Sequence, residues 1–309
     1  GINVVANGIN VQAGILTAKN IIDASDAQRN TRVGTNAGNS FSGTNAEDNT
    51  LLGYDAGTAI TTGDKNIVVG SFALSALTTG SGNVAIGRTA MGKATTATNN
   101  VAIGREALET VTTAEPNVAV GYRALQANTT GSQNTALGYN ALTANTTADN
   151  NTAIGHNALD ANTTADNNTA VGYNALTANT ASGNSAFGAT ALDANTTGAA
   201  NQAFGYGALG ANTTGQYNCA FGHSALAANT TTNYNTAIGY QALEDNTASY
   251  NTAVGNGALQ NNTTGEFNTA LGDNALVTAT TGDKNTALGR SAMTNTTTGS
   301  NNTAVGQNA

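Results

Sequence analysis

The chain has 309 residues, a formal net charge of −8 and only 9% charged residues, against roughly 25% in ordinary globular proteins. This patterned, charge-poor composition is typical neither of a disordered chain nor of a mixed globular enzyme. Its single cysteine, Cys219, excludes a disulfide framework and a cysteine-based zinc site.

The first 29 residues precede the regular part of the chain. Their alternating apolar pairs, Ile2 with Val4 and Ile9 with Val11, predict short strands that cap or connect the N-terminal end. The segment has neither a basic head nor an unbroken apolar stretch, so we expect no signal peptide. No run in the chain approaches the ~18 apolar residues of a membrane helix.

From Asn30 to residue 309 the chain repeats one 17-residue unit. The pentapeptide Asn-x-x-apolar-Gly occurs seventeen times, within the consensus N-T-A-φ-G-x-x-A-L-x-A-N-T-T-x-x-x, where φ is Val, Ile, Leu or Phe. Its glycine recurs every 17 residues, except for a first step of 19 and two later steps of 16, to Gly188 and Gly255. A fixed period indicates stacked structural units. Residues 30–309 are therefore predicted to form one repeat domain whose last copy is incomplete.

The unit is too short for the helical hairpins of ~33 to 47 residues found in helical arrays. The segment N-T-A-φ-G alternates like a strand, which places Thr and φ on one face and Ala on the other. After a glycine corner, x-x-A-L is predicted to form a second short strand, and N-T-T-x-x-x a turn and loop. The predicted fold is all-β, a parallel β-solenoid or β-roll of 17-residue coils.

Three constant positions in the repeat are predicted to form structural ladders. A glycine in every coil indicates a positive φ or a close backbone approach. The repeated Asn indicates side-chain amides that bond the coils above and below, and the repeated Ala indicates a narrow interior. In three central copies these residues are Asn134, Gly138, Ala141, Asn151, Gly155, Ala158, Asn168, Gly172 and Ala175.

Each coil has essentially two large apolar side chains, φ and the Leu of A-L, so its core is thin. We therefore expect other chains to complete one face. Because φ and Ala face opposite ways, one can fill the interior while the other meets a partner. A parallel homotrimer about a common axis uses this arrangement, and a lone solenoid is the alternative.

The run NTALGYNALTANTTADNNTAIGHNAL, residues 134–159, closely resembles the repeats of phage tail-fibre proteins and bacterial tail-fibre-domain surface proteins. More distantly, NVAIG at residues 83–87 and 100–104 resembles the head repeats of trimeric autotransporter adhesins. The first 21 residues resemble connector segments of cyanophage-type fibre proteins. The resemblance covers residues 30–309 and implies a left-handed β-roll wound as a trimer. It also implies an extracellular location, on a virion tail fibre or a bacterial surface.

No catalytic, metal or cofactor site is predicted. His156 and His223 share one slot of the repeat but lie four coils apart, roughly 19 Å at ~4.8 Å per coil, so they cannot hold one metal within a chain. The sequence has no phosphate loop and no calcium-binding nonapeptide. Asp149, Asp166 and Asp193 are interpreted as solvated carboxylates, and Cys219 as a small packed side chain.

The slot after the glycine is the candidate surface recognition column. Aromatic faces favour contact with a glycan or receptor, although a stacked surface ladder without a ligand explains the same pattern. The column comprises Tyr122, Tyr139, His156, Tyr173, Tyr206, His223 and Tyr240.

Charge limits the partners. Between Arg123 and Lys284 there is no Lys or Arg, while nine Asp and Glu lie in that stretch. Such a surface repels polyanions, so we expect neither nucleic-acid binding nor membrane insertion. We therefore expect ladders and packing, not ion pairs, to hold this section together.

The sequence therefore predicts a non-enzymatic, trimeric extracellular fibre segment that spans distance and presents a repetitive surface for attachment. One alternative is a monomeric ice-binding solenoid, suggested by Asn-Thr-Thr in eight coils, although that motif lies in the segment of variable length. Another is an end-to-end filament joined through an open C-terminal edge.

Overall fold

The computed structural model describes residues 28–41 and 45–309, together with the backbone of two N-terminal strands. These strands, β1 (Ile2–Val5) and β2 (Gly8–Val11), pair in antiparallel register with Ile2 opposite Val11. Strands are thus present at both predicted apolar pairs. How they would cap the repeat domain depends on residues 12–27, which lie outside the described residues.

The repeat domain is a parallel β-solenoid with one three-residue strand in each 17-residue coil, and its described part contains no helix. Each strand pairs in register with the strands of the coils before and after it, as Ala153 does with Ala136 and Ala170. The stack is linear because β3 pairs only with β4, and β19 only with β18, in the described coils. The predicted all-β solenoid is therefore confirmed. The strands are β3 (Thr31–Val33), β4 (Thr50–Leu52), β5 (Ile67–Val69), β6 (Val84–Ile86), β7 (Val101–Ile103), β8 (Val118–Val120), β9 (Thr135–Leu137), β10 (Thr152–Ile154), β11 (Thr169–Val171), β12 (Ser185–Phe187), β13 (Gln202–Phe204), β14 (Cys219–Phe221), β15 (Thr236–Ile238), β16 (Thr252–Val254), β17 (Thr269–Leu271), β18 (Thr286–Leu288) and β19 (Thr303–Val305).

The strand alternates as predicted. In β9 the side chain of Ala136 is fully buried, while that of Leu137 faces outward and is 46% exposed. The interior is therefore lined by Ala and by the Leu of the next segment, such as Leu142. The apolar φ residues contribute little to the core, and most of them form a column on the surface.

The predicted second strand is wrong: x-x-A-L forms turns. Asn140 and Leu142 adopt left-handed φ values of 53° and 55°, which no strand tolerates. Ala141 and Leu142 consequently both face the core. A left-handed Leu costs about 1–2 kcal/mol, and its complete burial returns roughly 1.5–3 kcal/mol.

The glycine corner sets how closely successive coils approach. Gly138 has a φ of 142°, and a Cβ at this position would lie 2.3 Å from the carbonyl oxygen of Gly155 in the next coil. Any side chain here would therefore push the coils apart. The same positive φ and the same close approach occur at Gly155 and Gly172.

The Asn that opens each repeat is buried and bonds neighbouring coils. The backbone N–H of Asn134 donates to Oδ1 of Asn117 at 3.0 Å, and Oδ1 of Asn134 accepts the N–H of Asn151 at 3.0 Å. Its Nδ2 donates to the carbonyl of Ala148 at 2.8 Å. Both ends of the amide are thus satisfied, which a buried amide requires.

A second amide ladder, absent from our sequence prediction, is formed by the Asn of Asn-Thr-Thr. Asn145 is buried, and its Nδ2 donates to Oδ1 of Asn128 at 2.8 Å and to the carbonyl of Ala148 at 3.2 Å. This segment is therefore a regular wall of the solenoid and not a plain loop. In the preceding coils the same slot is apolar and fully buried, at Ile60, Leu77, Ala94 and Val111.

The two 16-residue coils lose one exposed residue without disturbing the strands. Asn179 bonds the carbonyl two residues ahead, at Ala181, whereas Asn145 bonds three residues ahead. The strands on either side remain in register. The length variation is thus confined to the position that is otherwise the second Thr of Asn-Thr-Thr.

We expect Ala153→Leu to destabilise the solenoid because its side chain would enter the narrow interior. Overpacking a tight core costs typically about 1–3 kcal/mol. The neighbouring Ile154→Leu is the matched control, since Ile154 faces outward and other coils carry Leu there. Thermal unfolding followed by circular dichroism measures both, and equal melting temperatures would contradict the inward placement of Ala153.

Candidate recognition surface

The seven residues predicted as a recognition column lie on the outer surface, directly after the glycine corner. All except the half-buried Tyr122 are exposed. Their rings stack from coil to coil in two groups that are separated by Ala189. The first group is Tyr122, Tyr139, His156 and Tyr173, with successive ring centroids 5.1, 5.0 and 5.4 Å apart; the second is Tyr206, His223 and Tyr240, at 5.2 and 5.4 Å.

Each histidine is one rung of such a stack. His156 lies between Tyr139 and Tyr173, and its ring is nearly parallel to that of Tyr139, with an interplanar angle of 9°. His223 occupies the equivalent place in the second stack. Among the described residues, no group of three or more His, Cys, Asp or Glu side chains is arranged to hold a metal ion. Within each stack the rings cover one another's faces, so a face is left uncovered by the column only at the end of a stack.

The first stack ends on a cluster of charged residues. The guanidinium carbon of Arg105 lies 4.5 Å from the ring centroid of Tyr122, and that of Arg123 lies 5.0 Å away. Glu106 accepts a hydrogen bond of 2.7 Å from Arg123, which holds the pKa of this carboxyl below its usual range. Lys and Arg side chains therefore accompany the aromatic column only at this end, before the stretch that contains neither.

Phenylalanines add an aromatic strip on the other side of the glycine corner. Phe187, Phe204 and Phe221 occupy the outward φ position of three successive coils, with ring centroids 4.6 and 4.3 Å apart. Two of these coils also carry a ring of the recognition column, at Tyr206 and His223. The aromatic surface is thus widest around these coils.

A further aromatic ladder was missed by the sequence analysis. Four exposed rings stack at centroid distances of 5.0 to 5.2 Å in the position immediately before the Asn that opens each repeat. Other coils carry varied residues in this slot, so the column has no consensus, but four aromatics at the repeat period were a detectable signal. The residues are Tyr217, Tyr234, Tyr250 and Phe267.

Two threonine columns run along the Asn-Thr-Thr wall. The hydroxyl of the first Thr donates a hydrogen bond to the carbonyl oxygen of the first Thr in the next coil. Thr129 donates to Thr146 in this way, at 2.9 Å. The second Thr is exposed in all thirteen coils that contain the position. The hydroxyl bonds of the first column are interrupted at Thr163 and Thr230, each of which precedes a 16-residue coil.

The carboxylates differ from the sequence interpretation. Asp149 and Asp166 are not merely solvated, because Asp149 Oδ1 accepts the N–H of Ser132 at 2.6 Å and Asp166 Oδ1 accepts that of Asp149 at 2.8 Å. Burial raises the pKa of Asp193 and of Asp160. These carboxylates are scattered along the shaft, and no two of them are placed as a catalytic pair.

Cys219 is half-buried in β14, between Gln202 and Thr236 of the neighbouring strands. Burial raises the pKa of its thiol. An elevated pKa disfavours the reactive thiolate form. The placement agrees with a small side chain packed in a column.

The sequence matches no profile of a known protein family, and no curated protein matches it significantly. In the described part of the chain, no helix has the length and apolar character needed to cross a lipid bilayer.

Two carboxylates are expected to respond to pH with opposite signs. Burial raises the folded-state pKa of Asp160, so its contribution to stability is present at low pH and lost as pH rises through that pKa. Asp160→Asn should therefore raise the melting temperature at pH 7 and have little effect near pH 3. The hydrogen bond from Asn256 lowers the pKa of Asp273, so Asp273→Asn should lower the melting temperature at pH 7 and have little effect at acidic pH.

Melting curves of parent and both variants across this pH range measure the effect. Shifts of the same sign for the two variants at pH 7 would contradict the assignment.

Proposed function

We propose that residues 30–309 form the shaft of an extracellular fibre, of the tail-fibre or adhesin kind, that assembles as a parallel homotrimer. The observation that carries the proposal is the outward apolar column. All seventeen coils place Val, Ile, Leu or Phe at this position, and many of these side chains are more than a third exposed. Large continuous apolar surfaces on soluble proteins mark sites of association.

The size of this column suits an interface between copies of the chain. Full burial of one such side chain corresponds to ~60–120 Å² at ~25 cal/mol/Å², so seventeen partly exposed ones offer on the order of 500–1,000 Å². A standard stable interface uses roughly 800 Å² from each partner. The column is also continuous, because the strands are in register throughout, so parallel copies can meet along its length.

Three further features support a fibre role. Sixteen successive strand pairings at ~4.8 Å per rung give a shaft on the order of 80 Å long. The repeats resemble those of trimeric fibre and adhesin heads, which is the basis for proposing a trimer wound with left-handed coils. The aromatic recognition column lies beyond the glycine corner from the apolar column, so a trimer built on the latter leaves it available for a cell-surface glycan or receptor.

The trimer is tested by light scattering. We expect a mass about three times that of the 30.6 kDa chain. The double variant Leu137→Asp and Ile154→Asp should reduce the mass to that of one chain without unfolding, because buried unpaired charges are costly at an interface. Thr147→Asp, on the exposed threonine column, is the control and should remain trimeric. A parent protein that scatters as a single chain would refute the trimer, and a polydisperse one would favour the filament.

Ice binding is the second candidate function, favoured by the invariance of the exposed threonine column. In the described coils the hydroxyls of this column, such as those of Thr130 and Thr147, form no hydrogen bond within the chain, whereas those of Thr129 and Thr146 in the first column do. No such bond therefore explains why Thr fills the position in all thirteen coils. The interruptions at Thr163 and Thr230 argue against one continuous ice-matching plane. Thermal hysteresis separates the candidates: a monomer whose hysteresis is lost in Thr147→Tyr would establish ice binding, and the absence of hysteresis would exclude it.

A further inference from the structure

The recognition column is symmetric about a single missing ring. On either side of Ala189 the order of side chains is tyrosine, histidine, tyrosine, so that Tyr173 and Tyr206 are separated by one coil whose column position carries no ring. Each of these two rings has a stacked neighbour on its far side only. They are 56% and 58% exposed, more than Tyr139 at 48% or Tyr240 at 51%.

The gap has the size of one ring. Within the stacks, neighbouring centroids are 5.0 to 5.4 Å apart. Two coils at ~4.8 Å separate Tyr173 from Tyr206, so about 10 Å lies between them. A ring centred there would lie ~5 Å from each tyrosine, within the ~4.5–7 Å range of favourable ring stacking. A guest ring would therefore continue the ladder.

Beside the gap, one position of the surface also lacks a side chain. The residue after the column position is Asn174, Thr190 and Ser224 in nearby coils, but Gly207 in the coil of Tyr206. The left-handed backbone does not demand this glycine, because Thr190 and Ser224 adopt φ values of 54° and 55° there. A Cβ at Gly207 would have no atom within 4 Å, so the space is open.

Hydrogen-bond acceptors lie close to Gly210, four residues beyond Tyr206 in the same coil. Gly210, in the coil of Gly207, lacks a side chain, and a Cβ there would lie 3.6 Å from Oδ1 of Asp193 and 3.6 Å from the carbonyl oxygen of Thr190. The carboxylate of Asp193 is therefore left uncovered from this side. Acceptors in the coils of Ala189 and Tyr206 suit a ring that carries hydroxyl groups.

The absence of Lys and Arg further restricts the chemical class of the ligand. Residues 124–283 contain no Lys or Arg, so a sulfated, phosphorylated or carboxylated ring would find no counter-charge from this part of the chain. We propose that the gap at Ala189, between Tyr173 and Tyr206, is a binding slot for one neutral pyranose ring of a glycan. This inference rests on the proposed role of the column as an attachment surface and names the place and the class of ligand.

The slot is tested by filling it. Ala189→Tyr supplies the missing rung from the chain itself, so it should stack between Tyr173 and Tyr206 and exclude the ligand. Asn256→Tyr is the matched control, because it adds a tyrosine to the same column where a ring, Tyr240, is present on one side only. Saturation-transfer NMR with neutral methyl hexopyranosides, including the gluco, galacto, manno and N-acetylglucosamine forms, measures binding to the full chain.

We expect at least one glycoside to bind the parent and Asn256→Tyr alike, with affinity reduced at least about tenfold in Ala189→Tyr. Asp193→Asn and Gly207→Asn, which alter the border and not the stack, should weaken binding as well.

Equal binding by the parent and Ala189→Tyr would overturn the slot while leaving attachment elsewhere on the column standing. If no glycoside binds but p-cresol does, and Ala189→Tyr abolishes this, the occupant is an aromatic side chain and the pyranose assignment is wrong. Light scattering of the same variants reports on the fibre proposal independently.

Discussion

The structure depends on buried side-chain amides that bond each coil to the next. A buried amide is costly unless both its oxygen and its nitrogen find partners. Asn134 meets this condition only when a neighbouring coil supplies the backbone N–H of Asn151 to its oxygen. A single coil would leave the amide oxygen without that donor, so the coil and the stack form together. This explains how a shaft with so few large core side chains and so few ion pairs is held in register.

The narrow interior decides what the surface looks like. Because the strand places Ala inside from β6 onward, as at Ala136, the larger residues of these strands point outward. The exposed apolar column is thus a direct consequence of the thin core, and the same geometry that weakens one chain creates the surface on which other copies can pack. The stability of a single shaft and the assembly of several shafts therefore both depend on the same feature of the strand, which has a small side chain inside and a large one outside.

Much of this fold follows from the sequence, and the exceptions have identifiable causes. Period-2 alternation was sufficient to place Ala153 and Ile154 on opposite faces, and the constant glycine indicated a positive φ. The second strand was wrong because left-handed backbone was expected at glycine, whereas Leu142 adopts it and is compensated by burial. The second amide ladder was missed because Asn-Thr-Thr is also a turn sequence. The candidate column was visible as a pattern, but the stacking of its rings, with distances that repeat from coil to coil, required coordinates.

A repeat of this regularity makes its own exceptions informative. The backbone of every coil is fixed by the same Asn, Gly and Ala, so the outward-facing slots between them can vary with little structural penalty. A departure that has no structural cause then points to something outside the chain. Shortened loops at Ala181 and Ala248 are absorbed by a local bond and need no further cause. The truncations at Ala189, Gly207 and Gly210 are different, because they cluster on two adjacent coils, open space between two aromatic faces and leave a carboxylate uncovered. Their grouping is what a ligand-sized slot in an otherwise continuous ladder requires.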